Sequence, residues 1–409
     1  MFEHFLKPVK KFRKSYLPGI VTASADEDPS SIATFSAVGA STRFSFLWTV
    51  ILAAPLLIAV HRLSARLGDV AKKGLISLIK ENYGKKTALV CLVIFIIANL
   101  LSLVADIIGM AAGFQLLTGE NYLYFIIPLI VLVWYIIVFD TYRHILRYFS
   151  WFSGILLAYV VSGFLASPDW HQVFRSLIWP KVELNLLSVS AFLAILGATF
   201  SPFTFFWQTK QEIEERHNAK SVEESGRSVI FGFIYSAFIA FFVMLASASI
   251  AQSHNFDTLT IADIAEALAP LAGGWAAKLF GLGLIGSGIL AIPVLAASSA
   301  YATAEYFDWP DGLRRKPARA KGFYSIITFG FLICLASLLF DFQPVKAIFY
   351  SQLIVGILAP VIIYFILRLA GSKKVMGDFR CHWLSLLLGW FTIALLVLGD
   401  ILFVYFLFK

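Results

Sequence analysis

Apolar stretches of about twenty residues recur along the chain, separated by short polar segments rich in Lys and Arg. At a helical rise of about 1.5 Å per residue, each stretch is long enough to cross a hydrocarbon core about 30 Å thick. The pattern predicts eleven spanning helices: 17–40, 45–67, 87–112, 122–140, 148–166, 185–208, 228–252, 272–304, 323–340, 345–368 and 384–405. An amphipathic piece over about 257–270 precedes the eighth. Two of the stretches are interrupted. In the first, Asp26, Glu27 and Asp28 stand side by side with Pro29 directly after them; in the sixth, Ser201-Pro202-Phe203-Thr204 interrupts an apolar run. Proline lacks an N–H and clashes with the preceding turn, so both helices are expected to break, at Pro29 and at Pro202.

If the first span enters the bilayer near Leu17, Asp28 lies roughly 16 Å deep, near the midplane. Acids at that depth are costly and normally face a water-filled path or a cation. A broken helix also frees backbone carbonyls, which membrane proteins tolerate only where the break lines a cavity. The second break follows the first by five spans, the arrangement of an inverted repeat with paired broken helices at the midplane. The expected architecture is therefore an all-α polytopic membrane protein: a first five-helix repeat over 1–182, a second, inverted one over 183–370, and an eleventh helix over 371–409.

Composition agrees: 59% of residues are hydrophobic and 14% charged, with a mean hydropathy of +0.81. The net charge of +8 divides by side. Lys7 to Lys14, Arg62 to Lys86, Arg143 and Arg147, Lys210 to Arg227, Arg314 to Lys321 and Arg368 to Arg380 fall together if the spans alternate. That puts the N-terminus in the cytoplasm and the C-terminus outside. The basic N-terminus is not expected to be a cleavable signal, because acids and a proline interrupt the apolar stretch behind it. Cys91, Cys334 and Cys381 are scattered, with no CxxC, and read as small core residues. The glycines at 281, 283, 286 and 288 read as close helix packing, and Lys210 to Arg227 as a solvated helix end. No basic-aromatic surface points to nucleic acid, and no HExxH motif or paired nucleophile and base points to an embedded enzyme.

These residues resemble the Nramp family of divalent-metal transporters over nearly the whole chain. Pro18-Gly19 followed by Asp28-Pro29-Ser30-Ser31 looks like the family's first-helix Asp-Pro-Gly-Asn motif, and Ala198-Thr199-Phe200-Ser201-Pro202-Phe203-Thr204 like its sixth-helix Ala-Thr-Val-Met-Pro-His-Asn motif. Ser351-Gln352 and Pro360 in the tenth span fit as well. The resemblance implies a LeuT-like fold with discontinuous helices 1 and 6, and a transported cation rather than a cofactor. The departures are Ser31 for the family's Asn, Ser201 for its Met, Phe203 for one His, Gln208 for another, and Leu103 for a proton-linked Asp three residues before Asp106. This set is similar to the Nramp-related magnesium transporters.

A thioether favours transition metals over hard ions, so Ser201 removes that preference. Mg²⁺ prefers six oxygens and keeps several waters. Asp28 is expected to ligate the ion directly, with the Ala198 carbonyl and Ser201 nearby, and with Asp26, Glu27 or Ser31 ligating directly or through water. Asp26 and Glu27 have a rival reading as acids facing a vestibule, and Ser201 and Thr204 as hydroxyls satisfying the backbone that Pro202 frees. Asp106 is a vestibule acid or a polar contact between helices, and Gln352 a gate. All seven histidines are placed at span ends or in loops. With Leu103, this suggests transport of Mg²⁺, and of Mn²⁺ with it, without obligatory proton coupling by a monomer in the cell membrane. The alternatives are a proton-coupled Mn²⁺/Fe²⁺ carrier, a same-fold carrier of a small organic ion, and a non-transporting scaffold.

Overall fold

The structure, a computed structural model, describes residues 22–139, 156–215, 222–250, 258–340, 343–379 and 381–409. The basic N-terminal tail, Pro18-Gly19, the first part of the fifth span and His4, His144, His217 and His254 lie outside the described residues. In chain order the helices are α1 (22–26), α2 (Pro29–Thr42), α3 (Leu47–Ala71), α4 (Leu75–Tyr83), α5 (Lys85–Thr118), α6 (Leu123–Phe139), α7 (Leu156–Leu165), α8 (Trp170–Ile178) and α9 (Leu186–Thr199). There follow α10 (Pro202–Glu215), α11 (Val222–Ile250), α12 (Ile261–Ala265), α13 (Ala269–Ala272), α14 (Ala276–Phe307), α15 (Lys321–Ala336), α16 (Pro344–Ala370), α17 (Lys373–Met376) and α18 (Trp383–Leu407).

Among the described residues, eight stretches are long and apolar enough to cross a membrane, and α6 and α7 are shorter apolar helices. One of the eight joins α2 to α3 through the 3-10 turn Arg43–Phe46, where Arg43 takes φ 54°. Divided at that turn, the apolar helices fall on all eleven expected stretches. The sequence reading missed α4 and α8, two short helices in segments read as connections.

Both expected breaks are present, but the prolines sit differently from the expectation. Neither ends a helix; each is the first residue of the next one, where its missing N–H satisfies no helical bond anyway. The unwound residues are the pair before each proline, Glu27-Asp28 and Phe200-Ser201. The second halves, α2 and α10, pack against α11 and α3 respectively. Around them α14 lies along α5, and α16 along both α9 and α5. Two glycines hold α9 against α16: a Cβ on Gly197 would lie 1.9 Å from the Gln352 carbonyl oxygen, and one on Gly356 2.3 Å from that of Leu193. Two more receive the Pro29 ring, because a Cβ on Gly109 or on Gly288 would reach it at 2.9 or 3.1 Å.

The outer helices keep large apolar side chains exposed, as lipid contact requires. On α18 these include Leu387, Phe391, Leu398, Ile401 and Val404. At one end of the bundle the basic segments meet acids. Lys210 of α10 pairs with Glu305 of α14 at 3.3 Å and with Asp311 at 2.5 Å; Lys80 of α4 pairs with Asp308 at 2.6 Å; and Arg66 Nε donates to the Phe379 carbonyl at 3.0 Å. Lys210 is thus part of a packed ion cluster rather than a solvated helix end. The three cysteines are buried free thiols.

Candidate metal-ion site

The unwound pair in the first span turns the chain so that neighbouring acids face different helices. Asp28 has an extended backbone (φ −72°, ψ 168°) and is the N-cap of α2. Its Oδ1 accepts from the Ser31 N–H at 2.6 Å and from the Ser30 hydroxyl at 2.8 Å. A carboxylate is well placed at this end of a helix, where amide N–H groups and the helix dipole are positive. Ser30 is the hub. Its N–H donates to Asp106 Oδ1 of α5 at 3.0 Å, and its hydroxyl accepts from Gln352 Nε2 of α16 at 2.5 Å. All four residues are fully buried. Asp28 Oδ2, Asp106 Oδ2 and Gln352 Oε1 have no hydrogen-bond donor. Buried oxygens are ordinarily satisfied, so three orphan acceptors around one hydroxyl make this group the candidate for holding a cation.

Across from α2, the broken sixth span contributes carbonyls. The Ser31 hydroxyl donates to the Ala198 carbonyl at 3.1 Å, joining the two breaks directly. The Ser201 hydroxyl donates to the Gly197 carbonyl at 3.2 Å, and the Thr204 hydroxyl to the Ser201 carbonyl at 2.7 Å, so both cap freed backbone. Phe203, at the family's His position, is buried in apolar packing.

Asp26 and Glu27 do not join this group. Glu27 Oε1 accepts from the Ser236 hydroxyl of α11 at 2.6 Å, while Asp26 lies by Thr204. Both acids line a cavity between α2, α3, α9 and α11 that meets the Asp28 group at Ala198. Among the described residues no three His, Cys, Asp or Glu side chains converge as a metal cluster. The site therefore brings together Asp28, Ser31, Ala198, Asp106 and Gln352, with Ser201 and Thr204 at its border. Ser30 and Ser236 were missed as organising residues. The only signals were a serine beside the Asp-Pro pair and a lone hydroxyl within an apolar helix.

The expectation for histidine is overturned at His61. It lies inside α3, fully buried, with its ring stacked on Phe233 at 3.6 Å between centroids and Nε2 3.4 Å from the Thr204 hydroxyl. Helix α3 continues to Ala71, so this position is well inside a span. His171 and His382 sit at helix starts as expected. Leu103 lines an apolar groove with Leu92, Ile96, Leu100 and Phe329, and its methyl group lies against Gly330.

The family model described as "Nramp: Natural resistance-associated macrophage protein-like" matches residues 19–406. The chain belongs to the Nramp family. It is a multi-pass membrane transporter of divalent metal cations, not an enzyme, and the cation is its cargo rather than a cofactor. Among curated relatives, it is similar to the divalent metal cation transporter MntH of Aeromonas hydrophila, with 26% identity covering 95% of each chain. It is also similar to MntH of Yersinia pestis, with 27% identity over 91% of this chain and 90% of the relative. Among solved structures, the Eremococcus coleocola manganese transporter superposes with TM-score 0.75 at 19% identity, covering 96% of this chain and 86% of that one. MhsT bound to L-phenylalanine superposes at 0.64 with 13% identity, covering 94% and 98%. At these identities the two structures speak to the fold, a LeuT-like one with helices 1 and 6 broken.

Proposed function

We propose that this Nramp member carries Mg²⁺, and Mn²⁺ with it, across the cell membrane by alternating access and without obligatory proton coupling. The observation that carries the reading is the donor-free oxygen set of Asp28, Asp106 and Gln352, with Ser201 where the family has its thioether. Oxygen-only donors suit hard divalent ions, and the small side chains of Ser30, Ser31 and Ala198 leave room for retained water. In this reading Asp28 is the direct ligand. The Ala198 carbonyl, Ser31 and Ser201 lie beside it, Asp106 and Gln352 hold Ser30, and the repeats 1–182 and 183–370 rock about the two breaks. The chain works as a monomer with its N-terminus in the cytoplasm, where the paired basic ends of the bundle would lie.

Two residues bear on proton coupling and point in opposite directions. Leu103 speaks against it, since an apolar groove replaces an acid. His61 speaks for it, since the ring is buried beside Thr204 rather than at a span end. His61 favours the second reading, a proton-coupled carrier of Mn²⁺ or Fe²⁺. Proteoliposomes loaded with a pH-sensitive dye and a metal indicator separate the two. Mg²⁺ uptake driven by gradient and potential, with no acidification of the lumen, is the expected result. Stoichiometric acidification, or competition by Cd²⁺ with indifference to Mg²⁺, would overturn it.

A further inference from the structure

The break in the first span supplies more carboxylate than the Asp28 group uses, and the surplus faces a cavity that adjoins that group, with Ala198 in the shared wall. Asp26, Glu27, Thr199 and Ser236 supply the polar lining; Phe35, Val50, Ala54, Leu57 and Ala240 are among the apolar residues. None of the lining residues is cationic. The cavity is small, ≈ 10 Å³, with room for about one water-sized particle. Asp26 and Glu27 are each 2% exposed, yet Asp26 Oδ1 and Glu27 Oε2 have no hydrogen-bond partner. A purely structural acid pair in an apolar cavity would be expected to have both oxygens satisfied, as buried polar groups ordinarily are. Two carboxylates at once would instead neutralise one divalent ion, and Mg²⁺ is typically held by one or two carboxylates with water completing its shell.

We propose that Asp26 and Glu27 form a second station for a divalent cation, between α2, α3, α9 and α11, beside the Asp28 group. The inference rests on the reading of the chain as a divalent-cation carrier. The stations adjoin at Ala198 but are held by different helices: Asp28 reaches α5 and α16 through Ser30, whereas Glu27 reaches α11 through Ser236. Two divalent ions so close repel each other, so the stations exchange one ion rather than hold two. The second station gives an ion leaving Asp28 a place to go without meeting the apolar wall unaccompanied.

The test removes the competing site. Purified full-length protein is titrated with Mn²⁺, with free Mn²⁺ read by EPR, and calorimetry repeats the titration with Mg²⁺. Asp28→Ala is expected to retain one Mn²⁺ per chain, bound at least tenfold more weakly than in the wild type. Adding Asp26→Asn with Glu27→Gln, or filling the cavity with Ala240→Leu, should weaken that remainder at least tenfold again. Thermal unfolding and gel filtration establish that each variant is folded, with Asp28→Asn in place of Asp28→Ala if the latter is not. A folded Asp28 variant that binds no Mn²⁺ at millimolar concentration overturns the second station. So does residual binding that ignores both the acid and the cavity substitutions. Failure of the Asp28 reading looks different: Asp28→Ala would bind like the wild type while Asp26→Asn with Glu27→Gln bound nothing.

Discussion

Replacing Gly197 by alanine adds one methyl group where two helix backbones touch. The new Cβ would lie 1.9 Å from the Gln352 carbonyl oxygen, 2.7 Å from the Gly356 nitrogen and 2.9 Å from the Gln352 carbonyl carbon. All three are backbone atoms, so no side chain can rotate away. Real Cβ contacts essentially never fall below 3.0 Å, so α9 and α16 must separate by the difference from 1.9 Å, about 1.1 Å. Overpacking of this kind costs about 1–3 kcal/mol or more. The shift also moves Ala198 and Gln352, one on each side of the metal site, and misplacement by about 1 Å can cost on the order of 100-fold in a positioned constellation. Gly197→Ala should therefore lower the thermal midpoint in detergent and weaken Mn²⁺ binding in calorimetry by at least tenfold, about 1.4 kcal/mol. Gly283→Ala is the matched control, since nothing lies within 4 Å of its Cβ and alanine is the better helix former by about 1 kcal/mol. A Gly197→Ala protein that melts and binds like Gly283→Ala would refute the claim that this contact sets the site.

Asp28→Asn keeps the shape of the N-cap but removes the charge; calorimetry should show Mn²⁺ affinity down at least 100-fold, about 2.8 kcal/mol. Ser201→Met restores a soft ligand at a fully buried position, so the ratio of Cd²⁺ to Mg²⁺ affinity should rise at least tenfold, with a packing cost of about 1–3 kcal/mol visible in the melting curve. Lys210→Met strands Glu305 in a buried setting, and losing one partner of a buried pair costs about 3–5 kcal/mol, so its midpoint should fall by several degrees. Glu81→Gln removes the exposed pair with Lys73 and should leave the midpoint within error, as such pairs contribute about 0–1 kcal/mol.

The spans and both breaks were legible because twenty apolar residues, or a proline among them, are a local signal. The direction of each carboxylate was not. Asp26, Glu27 and Asp28 looked like one cluster, but the unwound backbone at Glu27 and Asp28 sends them to different helices, which no periodicity describes. The role of Ser30 was equally hidden, because it depends on Asp106 and Gln352, 76 and 322 residues away. His61 was read as terminal although it lies six residues inside the expected 45–67 span, and α3 runs on to Ala71, which puts it deeper still. The α8 signal was present and unread: Asp169 caps the His171 and Gln172 N–H groups ahead of an amphipathic turn.

The seating of the Pro29 ring between Gly109 and Gly288 has a mechanical consequence. The two glycines present bare backbone to the ring while Met110 and Ile348 close in beside it, so a methyl group on either glycine would push the proline out of its seat. In the alternating-access reading proposed above, this seat would serve as the pivot: the segment beginning at residue 29 would swing about it, and the carboxylate just before it would change the face it serves with little travel of its own.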